Sequence, residues 1–237
     1  MIPSPDPPAG APSDEAEASE DEAGLLTPGV VAGVAPLLPP PPAPRKRPRP
    51  GERRVQILET LATMLQEPGA ERITTAALAA KLDVSEAALY RHFASKAQMF
   101  EGLIEFIEQS VFSLVNQIVE REESAAVQVH KVLVVLLQFG EKNPGMTRVM
   151  VGDALVFENE RLLARMNQFF ERIESQLRQS LRLLAESVGS ATPTVDANAQ
   201  ASVLTSFAIG RLQRFARSGF RKSPTEHLDV ALRLFAV

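Results

Sequence analysis

Residues 73–96 read ITTAALAAKLDVSEAALYRHFASK, and this stretch decides the fold class. Thr74 or Thr75 can cap one short helix, and Ser85 can cap a second. Only residues 83–85 separate the two helices, and alanines on both allow a close approach. These features predict a helix-turn-helix, for which an ordinary helical hairpin inside a core is the alternative. Its small core is expected to consist of Leu78, Ala79, Leu82, Val84, Leu89 and Phe93.

The second helix of this motif is expected to enter the DNA major groove. The residues that it would present there are Glu86, Ala87, Tyr90, Arg91 and His92. Hydroxyl groups and one ammonium group nearby suit contacts to phosphates, which set the register of a protein on DNA without reading its sequence. These groups belong to Thr74, Thr75, Ser85, Tyr90 and Lys96.

A run of basic residues lies directly upstream, RKRPRPGERR over residues 45–54. Six bases in ten residues suit an arm that follows the DNA backbone or enters a minor groove. A solvated basic linker is the alternative, and the position just before the motif favours DNA. The run ends in Arg53 and Arg54, which are therefore expected to contact DNA.

Charge is unevenly distributed, so the net charge of −4 hides a basic module. Residues 1–44 hold seven acidic residues and no Lys or Arg, whereas residues 45–100 hold ten basic and six acidic residues. Most of the prolines precede residue 51. Acidic, Pro-rich sequence buries too little apolar surface to offset its chain entropy, so residues 1–50 are expected to form a disordered tail. A Pro-rich ligand for a partner is the alternative.

Several classes of site are excluded by residue type. The chain has no Cys, which excludes disulfides, cysteine metal sites and thiol catalysis. Its three His, at 92, 130 and 227, lack metal-ligand spacing, and no nucleophile elbow or phosphate loop is present. We therefore expect no enzymatic activity, no metal and no cofactor. A small acidic cluster is interpreted as solvated charge at a helix end; its members are Asp153, Glu158 and Glu160.

The remaining sequence has helical periodicity and no strand-like alternation, which predicts an all-α fold. Long helices are expected over 55–65, 96–120, 127–142, 158–188, 196–217 and 226–237, with a short one near 146–151. Pro68-Gly69 should end the first. The buried face of the helix over 96–120 would consist of Phe100, Leu103, Ile104, Ile107, Val111, Leu114, Val115 and Ile118.

Two folded domains follow from this pattern. A DNA-binding domain is expected over 51–111, with its motif at 74–93, and a helical dimerisation and partner-binding domain over 112–237. The longest apolar runs fall far short of the ~20 residues that a membrane-spanning helix needs, so no membrane association and a cytoplasmic location are expected.

One helical DNA-binding head reads one half-site, so specific binding favours a homodimer on palindromic DNA. Small residues at four-residue spacing on the helix over 196–217 would let two copies approach closely. The expected interface residues are Ser202, Val203, Ser206, Phe207 and Gly210. Apolar residues beside them are expected to enlarge this interface, although a monomer core would produce much of the same pattern. These apolar residues are Leu204, Leu212, Phe215, Leu228, Ala231, Leu232 and Phe235.

The head resembles the TetR family of bacterial DNA-binding regulators through residues 84–96, VSEAALYRHFASK. Four further stretches narrow the resemblance to the nucleoid occlusion factors of that family, over roughly 52–222. They are RITTAALAA at 72–80, LIEFIE at 103–108, FGEKNPGMTR at 139–148 and FFERIESQLR at 169–178. The resemblance implies a nucleoid-associated homodimer that binds palindromic chromosomal sites and the division protein FtsZ, and disrupts FtsZ polymers.

The same resemblance implies a docking surface for the FtsZ tail on Phe106, Val135, Lys142 and Asn143. An apolar groove edged by a cation suits a peptide with acidic and apolar residues, whereas plain core packing is the alternative for Phe106 and Val135. DNA would promote the action on FtsZ either by changing the shape of the dimer or by concentrating several dimers.

Three positions depart from the pattern of the family. Asp83 stands where the turn usually has Gly, and Asp tolerates a left-handed backbone better than most residues. Leu114 and Gln138 stand where Arg and Gly are expected, which changes the detail of the FtsZ docking surface.

A ligand-responsive repressor is the alternative function. It would need a cavity with convergent polar groups in the helical body. The residues that could supply them are His130, Gln138, Asn167 and Gln168, although exposed helix faces explain them better. No small-molecule ligand is therefore expected.

Overall fold

The computed structural model describes residues 51–67 and 72–235, and every regular element in these ranges is a helix. The tail over 1–50, its basic residues at 45–49 and the Pro68-Gly69 pair lie outside the described residues. The helices are α1 (Glu52–Met64), α2 (Thr75–Lys81), α3 (Glu86–Tyr90), α4 (Lys96–Arg121), α5 (Ala125–Lys142), α6 (Pro144–Met150), α7 (Glu160–Ser187), α8 (Pro193–Arg217) and α9 (Leu228–Leu234), with a 3₁₀ helix at Asp153–Leu155.

The head consists of α1, α2 and α3, and local capping fixes its helix starts. The Thr74 hydroxyl oxygen accepts from the Ala77 amide at 3.1 Å, and that of Ser85 accepts from the Ala88 amide at 3.3 Å. Asp83 adopts a φ of 54°, so it takes the left-handed turn conformation expected at this position. The predicted head core is confirmed, with Val84 only partly buried; its fully enclosed members are Leu78, Ala79, Leu89 and Phe93.

The body consists of α5 to α9, and α5 lies at its centre. This helix packs against α4, α6, α7 and α8, while α7 and α8 pack along each other. Its innermost apolar residues are completely enclosed. They are Val129, Val132, Leu133, Leu136 and Leu137.

Helix α4 joins the head to the body without interruption, so the expected domain division at 111/112 falls inside a helix. A second contact between head and body lies between α1 and α6, where the two helix backbones come very close. A Cβ atom on Gly145 would lie 1.9 Å from the Ala62 carbonyl oxygen. Only glycine allows this approach without a backbone shift.

Two expectations about burial were wrong. Leu114 is 45% exposed, although helical phase put it with Leu103. Val111 and Val115 at the same level of α4 are fully buried, so the covered face of the helix is narrower there than helical phase indicates. On α8 and α9, most of the apolar residues assigned to a dimer interface are buried within the protomer instead: Leu204, Leu212, Phe215, Leu228 and Leu232.

Across residues 51–67 and 72–235, no helix combines the length and the apolar character that crossing a membrane requires.

Candidate nucleic-acid interface

Helix α3 presents its polar face to solvent, because its apolar face is held in the head core by Leu89. Tyr90 is 45% exposed. The other residues expected to face DNA are also exposed: Glu86, Ala87, Arg91 and His92. The structure therefore brings all five onto the surface of one short helix and the turn that follows it.

Two predicted DNA contacts touch each other. The Thr75 hydroxyl donates to Glu86 Oε2 at 2.5 Å, joining the first turns of α2 and α3. A hydroxyl carries a single hydrogen, so Thr75 has no second donor for a phosphate while this bond holds. Thr74 and Ser85 differ from it, because their oxygens accept the capping bonds and their hydrogens remain available as donors.

The two arginines at the start of α1 have different surroundings. Arg54 donates to the His92 carbonyl oxygen at 3.0 Å, and its guanidinium carbon lies 4.1 Å from the centre of the Phe93 ring. This contact ties α1 to the end of α3, so Arg54 also positions that helix. Arg53 donates to the Gln56 side chain at 2.7 Å and stays at the surface.

Lys96 is held by a residue that the sequence did not connect with it. Its ammonium group pairs with Glu158, which precedes α7, and only 25% of the Lys96 side chain is exposed. The Glu158 side chain is 10% exposed, so its interpretation as solvated helix-end charge was wrong. The two residues are 62 positions apart, and no local pattern indicates their pairing.

Two more ion pairs continue along the contact between α4 and α7. Arg161 pairs with Glu101 at 2.7 Å, and Arg165 binds Glu108 through two hydrogen bonds at 3.1 and 2.5 Å. The hydrogen bonding of Arg165 to the Glu108 carboxylate is the main cause that raises the pKa of Arg165, and the guanidinium stays charged. We call Lys96–Glu158, Arg161–Glu101 and Arg165–Glu108 the ion-pair ladder.

The residues expected to bind FtsZ lie on α4 and α5, which are neighbours joined by only three residues and therefore antiparallel. Phe106 is 47% exposed, which rules out full core burial, and Val135 is half-buried. Lys142 is exposed at the end of α5, and the Asn143 amide donates to the Phe139 carbonyl oxygen at 2.8 Å. Counted from the connection, Phe106 is level with the last turn of α5.

Helix α8 has an exposed face made mainly of small residues: Ser202, Val203, Ser206 and Gly210. Phe207 is half-buried, because its ring packs on that of Phe235 with centres 5.2 Å apart. A Cβ on Gly210 would meet nothing within 4 Å in the protomer. The small size of this residue is therefore not required by the fold of a single chain.

The four residues considered for a ligand cavity do not converge. Gln138, Asn167 and Gln168 are exposed on two different helices. His130 Nε2 lies 3.4 Å from Asp229 Oδ1 at the surface.

The comparison with known proteins supports the assignment of the head. The model of "Bacterial regulatory proteins, tetR family" matches residues 57–103, and that of "Tetracyclin repressor-like, C-terminal domain" matches residues 123–237. Nucleoid occlusion factor SlmA of Colwellia psychrerythraea is 54% identical over 173 residues, which make up 73% of this chain and 87% of the relative. The chain belongs to the SlmA family. SlmA of Aliivibrio fischeri strain MJ11 is 53% identical over 77% of this chain and 93% of the relative.

Solved structures share the fold of this SlmA family member at much lower identity. FadR from Bacillus halodurans, a fatty acid degradation regulator, gives a TM-score of 0.63 at 13% identity, over 78% of this chain and 95% of that one. FadR from Bacillus subtilis in complex with stearoyl-CoA gives 0.61 at 14%, over 76% and 96%. These likenesses show the fold alone.

Proposed function

We propose that the chain is a DNA-associated inhibitor of cell division that acts in the cytoplasm on the nucleoid. A homodimer binds palindromic chromosomal sites and FtsZ, and disrupts FtsZ polymers so that the division ring does not form over the nucleoid. The observation that carries this proposal is an exposed DNA-facing helix in a chain about half identical to nucleoid occlusion factors over most of their length.

DNA binding is assigned to the exposed face of α3 and the groups around it. Arg91 and Tyr90 project from this face, and the hydroxyls of Thr74 and Ser85 can donate to phosphates. Glu86 is the one acidic residue among these predicted DNA contacts, and phosphates repel its carboxylate. A carboxylate in the major groove accepts a hydrogen bond from the amino group of cytosine, and Thr75 holds Glu86 in place for this contact.

Dimerisation is assigned to the exposed face of α8, where Gly210 leaves space for a partner helix. Two-fold symmetry places the two heads about 34 Å apart, or a multiple of it, on a palindrome. FtsZ binding is assigned to α4 and α5, where Phe106 offers exposed aromatic surface and Lys142 an exposed cation. A peptide with apolar and acidic residues matches this combination.

The test is sedimentation of FtsZ polymers with the purified protein, with and without a palindromic DNA selected from a random pool. We expect loss of pelleted FtsZ only when protein and selected DNA are both present. Arg91→Ala should weaken DNA binding at moderate salt about tenfold, because one charged contact at a base or phosphate is lost. Lys142→Glu should keep DNA binding and lose the effect on FtsZ.

Selection of a DNA site without any effect on FtsZ would contradict the division-inhibitor assignment and leave a dimeric repressor. Unchanged DNA affinity in Arg91→Ala would contradict the placement of the interface on α3. An effect on FtsZ that survives Lys142→Glu would place the docking surface elsewhere on the body.

A further inference from the structure

Lys96 is the first residue of α4, and its side chain is turned away from open solvent. Its ammonium group contacts the Glu158 carboxylate and lies 5.6 Å from the centre of the Phe100 ring. Three-quarters of the side chain is covered. A phosphate of bound DNA that takes over this ammonium group has to displace the Glu158 carboxylate.

The segment that carries Glu158 has an unusual distribution of residues. Val156 and Phe157 are 70% and 67% exposed, whereas the neighbouring Glu158 side chain is only 10% exposed. Apolar residues are normally covered before acidic ones. The buried Leu155 and Leu162 anchor the two ends of this segment, and within it the ion pair with Lys96 holds the Glu158 side chain.

We propose that Glu158 competes with DNA phosphate for Lys96, and that DNA binding releases residues 156–158 from the head. This inference rests on the proposed DNA-binding function and adds a regulating residue that lies outside the interface. Glu158 is a positioning residue, because it acts on DNA only through Lys96. In the free protein it holds the lysine; on DNA, a phosphate takes its place.

The exchange is confined to one end of the ion-pair ladder. Arg161–Glu101 and Arg165–Glu108 lie further along α4 and α7, away from the head. They keep α7 in place when the first pair opens. The released part is therefore the short segment with Val156 and Phe157, whose apolar side chains then move independently of the head.

The first test measures the DNA affinity of the Glu158→Gln variant against that of the wild-type protein. A partly exposed ion pair contributes up to about 1 kcal/mol, so its loss should raise DNA affinity up to about fivefold per protomer. Glu160→Gln is the matched control, because it removes the same charge two residues along from an exposed position. We expect a change below twofold for this control.

The effect must also depend on Lys96. In a Lys96→Ala background, Glu158→Gln should no longer raise affinity, and the slope of log affinity against log salt should fall by about 0.9 per protomer. A merely structural role of Glu158 would not produce this dependence. A gain that persists without Lys96 would overturn the proposal, as would equal effects of Glu158→Gln and Glu160→Gln.

Release of the segment can be observed directly, because the chain has no cysteine. A Phe157→Cys variant carries a single environment-sensitive fluorophore, and Val127→Cys, exposed in the first turn of α5, is the control. Selected DNA should change the emission at residue 157 and not at residue 127, and Glu158→Gln should produce the change at 157 without DNA. Constant emission at 157 on saturation with DNA would overturn the proposal.

These experiments distinguish failure of the proposed DNA-binding function from failure of the competition for Lys96. If no DNA is selected by the wild-type chain, the proposed function and this inference both fail. If wild-type DNA binding is specific but Glu158→Gln behaves like Glu160→Gln, only the competition for Lys96 fails.

Discussion

The head and the body place their polar groups differently. In the head, Thr74 and Ser85 cap helices at the surface, and Arg54 reaches over the outside of Phe93. The body instead encloses polar side chains in its core. Among the described residues, the four buried polar ones all lie in the body: Gln128, Thr147, Ser180 and Thr205.

This difference separates local from long-range determinants of structure. A cap in the head depends on residues two or three positions apart, and it leaves the polar face free for a ligand. A buried polar group in the body depends on partners that lie far away in sequence, such as Gln128 and Ser180. The polar groups of the head are therefore set by local sequence, whereas buried polar groups of the body such as Gln128 and Ser180 need a distant partner.

The largest effect is expected where the two regions meet. Gly145→Ala places a methyl group 1.9 Å from the Ala62 carbonyl oxygen, and this clash is with backbone that cannot rotate away. We expect a loss of about 3 kcal/mol in the free energy of unfolding, measured by urea denaturation. DNA affinity should fall as well, because the contact between α1 and α6 helps to position the head on the body.

Gly210→Ala is the matched control, since its Cβ has open space in the protomer. In a helix interior it should not lower protomer stability. Equal destabilisation by the two substitutions would show that α1 and α6 are not closely packed at Gly145. Weaker dimerisation of Gly210→Ala, measured by sedimentation, would support the interface on α8.

The sequence was sufficient to predict the head and its exposed residues, because short-range signals determine them. Caps, turn length and the left-handed Asp83 were all predictable within residues 73–96. The helix positions of the body were predictable from the sequence, whereas the burial of its side chains was only partly predictable. Helical phase indicates which side of a helix is apolar, and not whether a neighbour covers it, so Leu114 and Leu204 were placed wrongly.

The candidate site shows the same limit. The exposure of the polar residues of α3 follows from the motif, whereas the pairing of Lys96 with Glu158 needs the packing of α7 on α4. The dimer and FtsZ surfaces stay predictions, because exposure within one protomer is compatible with them and does not require a partner.

An intermediate effect is expected for the buried network of the body. Gln128 donates to the Glu122 carbonyl oxygen at 2.7 Å, at the end of α4, and accepts from the Ser180 hydroxyl at 2.7 Å. Gln128→Leu leaves these partners buried without hydrogen bonds, which should cost about 2 kcal/mol of stability. Gln138→Leu is the control on the exposed side of the same helix, and thermal unfolding should show it close to wild type. Similar losses in both variants would contradict a special role of the network.

The smallest changes in the free energy of unfolding are expected at two buried threonines, and these changes should have opposite signs. Thr147 donates to the Gly140 carbonyl oxygen at 2.8 Å, whereas the Thr205 hydroxyl is buried and makes no hydrogen bond within the described residues. Thr147→Val should therefore lower the free energy of unfolding by about 1 kcal/mol, and Thr205→Val should raise it by up to about 1 kcal/mol. The two substitutions remove the same hydroxyl and keep nearly the same shape, so each is the control for the other. A loss of stability in Thr205→Val would mean that its hydroxyl has a partner in the assembled protein, and the adjoining face of α8 would be the first place to look for it.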